Sequence, residues 1–239
     1  DILMNCPGVE KMIPLVDVSG SMSGDPMYNA IGLGWLISRK THESMRHRMI
    51  TYHDDPSWVE IKEEWSLCQA VSVMRNAPWG GTTNLEKAIN LILDVCVKNR
   101  LPNSVVSQLS LIILTDMQWD AVFGFNSWYG AQDTPATKLV KGNTMIARMR
   151  TAFKNAGVRA TGEPYDMPVI RIWNLRGGIE SFAADAGCEG VEMMGGWSQA
   201  LLKLFLAGEE LVPIADPKKP PPPKVTPFEL YRKAMDDER

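Results

Sequence analysis

Residues 109–114 constrain the fold more than any other stretch of the chain. The run reads L-S-L-I-I-L and is followed at once by Thr115-Asp116. A strand with one face in water alternates apolar and polar residues, whereas a strand covered on both faces is apolar throughout. Sheets with both faces covered are mainly parallel and carry helices on each side. The run therefore predicts a central strand of an α/β sheet.

Strand-like and helix-like segments alternate along the rest of the chain. The other predicted strands are residues 12–18, 48–53, 58–62, 169–173 and 190–194. The predicted helices are residues 27–38, 67–74, 85–97, 137–155 and 198–206. Asp25 is the expected N-cap of the first helix, with Pro26 at its first helical position. This alternation predicts an α/β fold with a mainly parallel sheet.

Composition narrows the class of protein. The chain has 239 residues, 45% of them hydrophobic, and a net charge of −3, so one large domain is expected and a global basic field for nucleic acid is not. No apolar run reaches the roughly 20 residues that span a bilayer, so no membrane association is expected. The four cysteines are scattered, with no C-x-x-C pair, which predicts a reducing, intracellular and cytoplasmic location.

Three loops carry hard oxygen donors at the expected carboxyl ends of strands. The first is Asp17-Val18-Ser19-Gly20-Ser21, the second is the Gly-rich stretch 79–84, and the third is Thr115-Asp116. Ligands of open parallel sheets bind at this edge. Carboxylates and hydroxyls suit Mg²⁺, the expected ion, or Mn²⁺ or Ca²⁺. Because hydroxyls are neutral, an ion held by only two carboxylates remains attractive to an acidic group from elsewhere.

This arrangement resembles the von Willebrand factor A domain with its metal-ion-dependent adhesion site. The family pattern is D-x-S-x-S, then a threonine in a Gly-rich loop, then (S/T)-D after a hydrophobic strand. Thr83 fits better than Thr82, the alternative ligand, because the family has Ala or Gly five residues on and Ala88 stands there. The matching metal ligands are Asp17, Ser19, Ser21, Thr83 and Asp116. The resemblance implies a three-layer, doubly wound (Rossmann-like), mainly parallel six-stranded sheet with helices on both faces.

The details look closest to an intracellular branch of unknown function related to the Ro RNA-binding protein. The matching segments are VSGSM, WGG-T-T-N, L-T-D-M-Q-W-D, I-W-N-L-R and G-G-W-S-Q-A-L-L-K-L-F-L. A domain is expected over residues 1–211, and the Pro-rich composition after Leu211 predicts a linker and C-terminal tail at 212–239. The resemblance also implies a longer protein with a helical region upstream, through which RNA could associate.

The implied function is metal-dependent protein binding without catalysis. A Glu or Asp of a protein partner would complete the metal shell, and Trp119, Trp128 and Tyr129 are candidate partner-binding residues because aromatic side chains are common interface anchors. In relatives the last helix moves when the ion shell changes, which here would be residues 198–206.

Three other interpretations remain open. The chain could be a component of an RNA–protein particle related to Ro. It could be a Mg²⁺-dependent phosphoryl-transfer enzyme with Asp17 as nucleophile, although Ser19 stands where haloacid-dehalogenase-like phosphatases have a second aspartate. Asp17 and Ser21 could also serve only to cap backbone amides, as Asp and Ser often do.

Overall fold

The computed structural model describes residues 8–51, 55–77, 84–116, 135–176 and 190–195, with the backbone alone at 135–143 and 193–195. The strands within these ranges are β1 (Met12–Val16), β2 (Arg48–Thr51), β3 (Trp58–Glu60), β4 (Ser110–Thr115), β5 (Val169–Asn174) and β6 (Val191–Gly195). The α-helices are α1 (Asp25–Ser38), α2 (Leu67–Arg75), α3 (Leu85–Lys98), α4 (Asn103–Val106) and α5 (Pro135–Thr161).

The six strands form one sheet in the order β3-β2-β1-β4-β5-β6. Only β3 runs antiparallel, paired with β2, and the other neighbours are parallel. From β1 the chain passes through α1 to β2 on one side, and it later enters β4 on the other side of β1. The strand order therefore reverses between β1 and β4, and their carboxyl ends form the crevice where open α/β sheets bind ligands. The predicted doubly wound, mainly parallel α/β sheet is confirmed.

Alternate residues of the central strands enter two separate cores. On one face, Ile13 and Leu15 of β1 pack with the apolar sides of α3 and α5. On the other face, Met12 and Val16 pack with α1 and α2. All six residues of β4 are buried, as predicted for a strand covered on both sides. The two helical layers make β1 and β4 the most protected of the strands that the structure describes.

Helix α1 approaches the sheet through Gly34. A Cβ at this position would lie 2.6 Å from Cγ2 of Val16 and 2.8 Å from Sδ of Met49. These separations are shorter than any normal van der Waals contact, so only glycine permits the observed spacing between α1 and the β1–β2 pair. Gly32, one half-turn away, has nothing within 4 Å of its Cβ position.

The predicted N-cap of the first helix was wrong. Asp25 is the first residue of α1, and Gly24 is the N-cap, with φ of 94° and no side-chain capping bond. A positive φ favours glycine over aspartate, so the chain turns into the helix one residue earlier than the Asp-Pro signal suggested. Helix α4 was not predicted, because four residues carry no measurable helical period.

Apart from the end of the helix predicted at 137–155, the predicted elements otherwise agree with the structure to within a few residues where they can be compared. The helix predicted at 137–155 begins at Pro135 and ends at Thr161. The helix predicted at 198–206 and the tail at 212–239 lie outside the described residues. Among the helices that the structure describes, none has both the length and the apolar character needed to cross a membrane.

Candidate metal centre

A row of buried polar side chains crosses three strands at the carboxyl edge of the sheet. The register pairs Val16 with Leu114, so the next residues, Asp17 and Thr115, lie opposite each other. Thr115 in turn pairs with Asn174 of β5. Asp17, Thr115 and Asn174 are 2%, 1% and 4% exposed. By strand alternation they follow the face that α3 and α5 cover, directly beyond the apolar core.

The Asp17 carboxylate is held from two strands. Its Oδ1 accepts a hydrogen bond of 2.9 Å from the backbone N–H of Ser19. Its Oδ2 accepts one of 2.7 Å from the Thr115 hydroxyl, across 98 residues of sequence. The Asp17 N–H also donates to the Leu114 carbonyl at 3.0 Å, extending the β1–β4 ladder by one residue. The carboxylate is therefore fixed in position before any ligand arrives.

The two serines of the first loop present their hydroxyls side by side. Ser19 Oγ and Ser21 Oγ are 2.9 Å apart. The 3-10 turn Gly20–Met22 produces this geometry, since Met22 N–H donates to the Ser19 carbonyl at 3.0 Å. Met22 is fully buried and anchors the turn in the core on the α1 side. The D-x-S-x-S spacing thus gathers the three oxygen-bearing side chains at one place.

Asp116 contributes a second buried carboxylate with an incomplete set of partners. Its side chain is 3% exposed, and Oδ2 lies 3.6 Å from Nε of Arg176. Its Oδ1 is buried and accepts no hydrogen bond from any residue that the structure describes. A carboxylate oxygen removed from water without a donor is costly. A cation at Oδ1 would remove that cost.

The electrostatics of Asp17 and Asp116 also favour a cation at this edge. Burial raises the pKa of Asp17 above its ordinary value, and the nearby negative charge of Asp116 raises it further. Hydrogen bonds from Ser19 and Thr115 oppose this rise in the pKa of Asp17 by stabilising the charged form. Two carboxylates that share a low-dielectric edge favour either a proton or a cation between them.

The donor set suits a hard cation. The side chains brought together offer two carboxylates and two serine hydroxyls, with no thiol or imidazole. Within the described ranges no three His, Cys, Asp or Glu side chains cluster together. Oxygen ligands of mixed charge match Mg²⁺, Mn²⁺ or Ca²⁺, and the unpartnered Oδ1 of Asp116 provides a ligand position. The residues present therefore fit the ion that the resemblance implies.

The helix that follows the second predicted loop begins at the same edge. Thr83 and the alternative Thr82 lie outside the described residues, and so do Trp119, Trp128 and Tyr129. The helix that follows the loop starts as predicted, with Asn84 as N-cap accepting from Lys87 N–H at 3.0 Å. Lys87 Nζ also contacts Asp55 Oδ1 at 2.9 Å, in the connection that leaves the carboxyl end of β2. The first turn of α3 is thus at the edge where Asp17 lies, and Thr83 as a ligand stays a prediction.

Two residues of the site were not in the predicted ligand set. Thr115 orients Asp17, and the (S/T)-D pattern could have indicated this because adjacent parallel strands place the two residues in register. Arg176 contacts Asp116 and also donates through Nη2 to the Ser21 carbonyl. Its only signal was its place in the I-W-N-L-R segment, at the end of the neighbouring strand.

Comparisons with known proteins agree with this architecture. The fold resembles the Ro (RSR) protein of Deinococcus radiodurans, with a TM-score of 0.51, 18% identity, and coverage of 85% of this chain and 35% of that one. At this identity the likeness shows the fold alone. The chain is also 32% identical over 203 residues to uncharacterized protein L728 of Acanthamoeba polyphaga mimivirus.

The chain spans only part of these relatives. The aligned region is 84% of this chain but 31% of the mimivirus protein, so whole-protein properties do not transfer directly. A family model described as Domain of unknown function (DUF7788) matches residues 11–227, which includes every described strand and helix of the sheet layers. Because that match covers most of the sequence, the chain belongs to the DUF7788 family.

Proposed function

We propose that the domain is a divalent-metal-dependent protein-binding module. One observation carries the proposal: Asp116 Oδ1 is buried and unpartnered among the described residues, beside a second buried carboxylate and two hydroxyls. Turn capping accounts for the bond from Ser19 N–H to Asp17, but it gives no reason for the unpartnered oxygen of Asp116. A cation ligand position does.

The proposed roles follow from the contacts. Asp17 and Asp116 would supply the negative charge, and Ser19 and Ser21 neutral oxygens, with Thr83 as a further predicted ligand. The ion would supply Lewis acidity toward an acidic side chain of a protein partner. We assign no reaction to the domain.

The experiment is thermal unfolding in EDTA, followed by titration with Mg²⁺, Mn²⁺ or Ca²⁺. An ion that binds the native state raises the melting temperature by mass action. The wild type should gain several degrees at millimolar ion, and Asp17→Ala should gain none. Asp94→Ala is the matched control, because Asp94 is an exposed carboxylate of α3 and its loss should leave the ion response intact.

Two outcomes would contradict a metal ion held by Asp17 and Asp116. If no ion shifts the wild type and a crystal soaked in millimolar Mn²⁺ shows no density between Asp17 and Asp116, the metal centre does not exist. If the ion binds but the Asp94→Ala control loses the response as completely as Asp17→Ala, the ion is bound elsewhere.

A second candidate is a component of an RNA–protein particle, as the Ro-related fold suggests. The exposed face of α5 offers Arg148, Lys154 and Arg159, although Arg148 is paired with Glu86 at 3.2 Å. Binding carried by these cations would weaken steeply with salt. Titration of a labelled single-stranded RNA at 50 and 200 mM salt, with Lys154→Ala as the variant, separates this candidate from the protein-binding one.

A further inference from the structure

Arg176 is directed over the candidate metal centre by the end of β5. Leu175 N–H donates to the Thr115 carbonyl at 2.9 Å, which continues the β4–β5 pairing beyond the last ladder residue. The Arg176 N–H then donates to Oδ1 of Asn174 at 2.9 Å, closing a local turn. This turn sends the arginine side chain back across the edge toward β4 and β1 instead of onward along the strand.

The guanidinium joins the two loops that supply the proposed ligands. Nε lies 3.6 Å from Asp116 Oδ2, and Nη2 donates to the backbone carbonyl of Ser21. The Asp116 side chain is 3% exposed and that of Arg176 is 52% exposed. The positive charge therefore lies at the mouth of the centre, with the buried carboxylate beneath it and water on its outer side.

An ordinary surface ion pair does not match this arrangement. Exposed pairs are held loosely by two mobile side chains and contribute little. Here one partner is buried, the other is fixed by a second hydrogen bond, and the Ser21 contact spans 155 residues of sequence. Arginine also keeps its charge at every physiological pH, so the positive charge is permanent.

We infer that Arg176 is part of the metal centre and acts as a tethered cation that competes with the divalent ion for Asp116. The inference rests on the proposed function, because it concerns the same ion. A unit positive charge about 6 Å from a divalent cation opposes its binding by about tenfold even in the dielectric of water. Arg176 thus sets the ion concentration at which the domain changes from its metal-free to its metal-loaded form.

The test is the dissociation constant for Mn²⁺, measured by calorimetric titration on Arg176→Gln. The variant keeps a hydrogen-bonding side chain but loses the charge, so we expect it to bind Mn²⁺ about tenfold more tightly than the wild type. Arg176→Lys keeps the charge and should bind within about twofold of the wild type. Lys98→Gln is the control for net charge, because Lys98 is exposed in the last turn of α3, and the affinity of this variant for Mn²⁺ should equal that of the wild type.

Each outcome separates the two proposals. If the wild type binds Mn²⁺ and Arg176→Gln binds it equally or less tightly, the competition is wrong while the metal centre stands. If neither protein binds, both proposals fail, and binding by Arg176→Gln alone supports both. The melting temperature of each variant in EDTA shows that it is folded. Should the glutamine variant unfold, Arg176→Met removes the same charge with a side chain of similar length and is held to the same expectation.

Discussion

The middle of β4 and its carboxyl end are both buried, but they differ in how their polar atoms are paired. From Leu111 to Leu114 the side chains are apolar and at most 1% exposed, and the backbone is paired on both sides. One residue further on, Thr115 and Asp116 place polar side chains in the same protected environment, and Asp116 Oδ1 has no partner among the described residues.

The difference shows which region stabilises the fold and which region lowers its stability. Apolar burial in the strand centre stabilises the domain at roughly 25 cal/mol per Å². Buried carboxylates at the edge cost stability unless a cation accompanies them. Natural proteins accept such losses mainly at functional sites. The contrast between the two regions is thus an argument for function that needs no motif.

The largest effect should come from disturbing the centre of the sheet. Gly34→Ala would place a Cβ 2.6 Å from Val16 Cγ2, so α1 must move outward, and we expect about 2 kcal/mol less stability in urea unfolding. Gly32→Ala in the same helix is the control. It meets no neighbour and should gain about 0.5–1 kcal/mol from helix propensity. Equal effects of the two substitutions would contradict the close approach of α1.

At the carboxyl edge of the sheet, removing a charge should raise the stability of the metal-free domain instead of lowering it. Asp17→Asn retains an acceptor for Ser19 N–H and a group able to bond the Thr115 hydroxyl, while it removes the repulsion from Asp116. We expect the metal-free variant to be more stable than the wild type by about 1 kcal/mol at pH 7 in EDTA. If the variant is instead less stable than the wild type by more than about 1 kcal/mol, the Asp17 carboxylate stabilises the metal-free fold. The carboxyl edge would then stabilise the domain as the centre of the strand does.

The third effect concerns a thiol in the core and is the smallest at pH 7. Burial raises the pKa of Cys96 on α3 from its ordinary value near 9 to about 12. Above pH 9 the unfolded chain loses this proton while the folded protein keeps it, so stability falls as pH rises. The contribution is about 1 kcal/mol between pH 8 and pH 10. The slope of unfolding free energy against pH should be shallower in Cys96→Ala.

The same thiol offers a second measurement. Cys68 is exposed, whereas Cys96 is buried, and only the thiolate reacts with alkylating reagents. Mass mapping after brief iodoacetamide treatment at pH 8 should find Cys68 modified and Cys96 unmodified. Rapid modification of Cys96 in the native protein would show that the core on the α3 side opens far more readily than its packing implies.

The fold was predictable because its signals are local and repeated. The uninterrupted apolar run before Thr115 and the alternation of helical and extended segments determine the layers of a parallel sheet, whatever the turns are. The N-cap was mistaken because Asp-Pro is a strong local signal, and the positive φ of Gly24 depends on where the preceding turn must lie.

The site was predictable only in part, for a related reason. Asp17, Ser19 and Ser21 form one short motif, and Asp116 follows the most apolar strand, so each has a signal within a few residues. Arg176 has only its place in the I-W-N-L-R segment, because its role depends on β5 lying beside β4 and on a turn made by Asn174. Contacts between distant segments need the topology before they can be inferred.

The separation of these segments along the chain also governs when the site can exist. The bond from Thr115 to Asp17 closes a loop of 98 residues, and the contact of Arg176 with Ser21 closes one of 155. Such long-range closures are slow to form. During synthesis the first loop emerges long before its partners, and a chain released before Arg176 lacks one side of the centre. The side chains of the site can therefore come together only after β5 has joined the sheet.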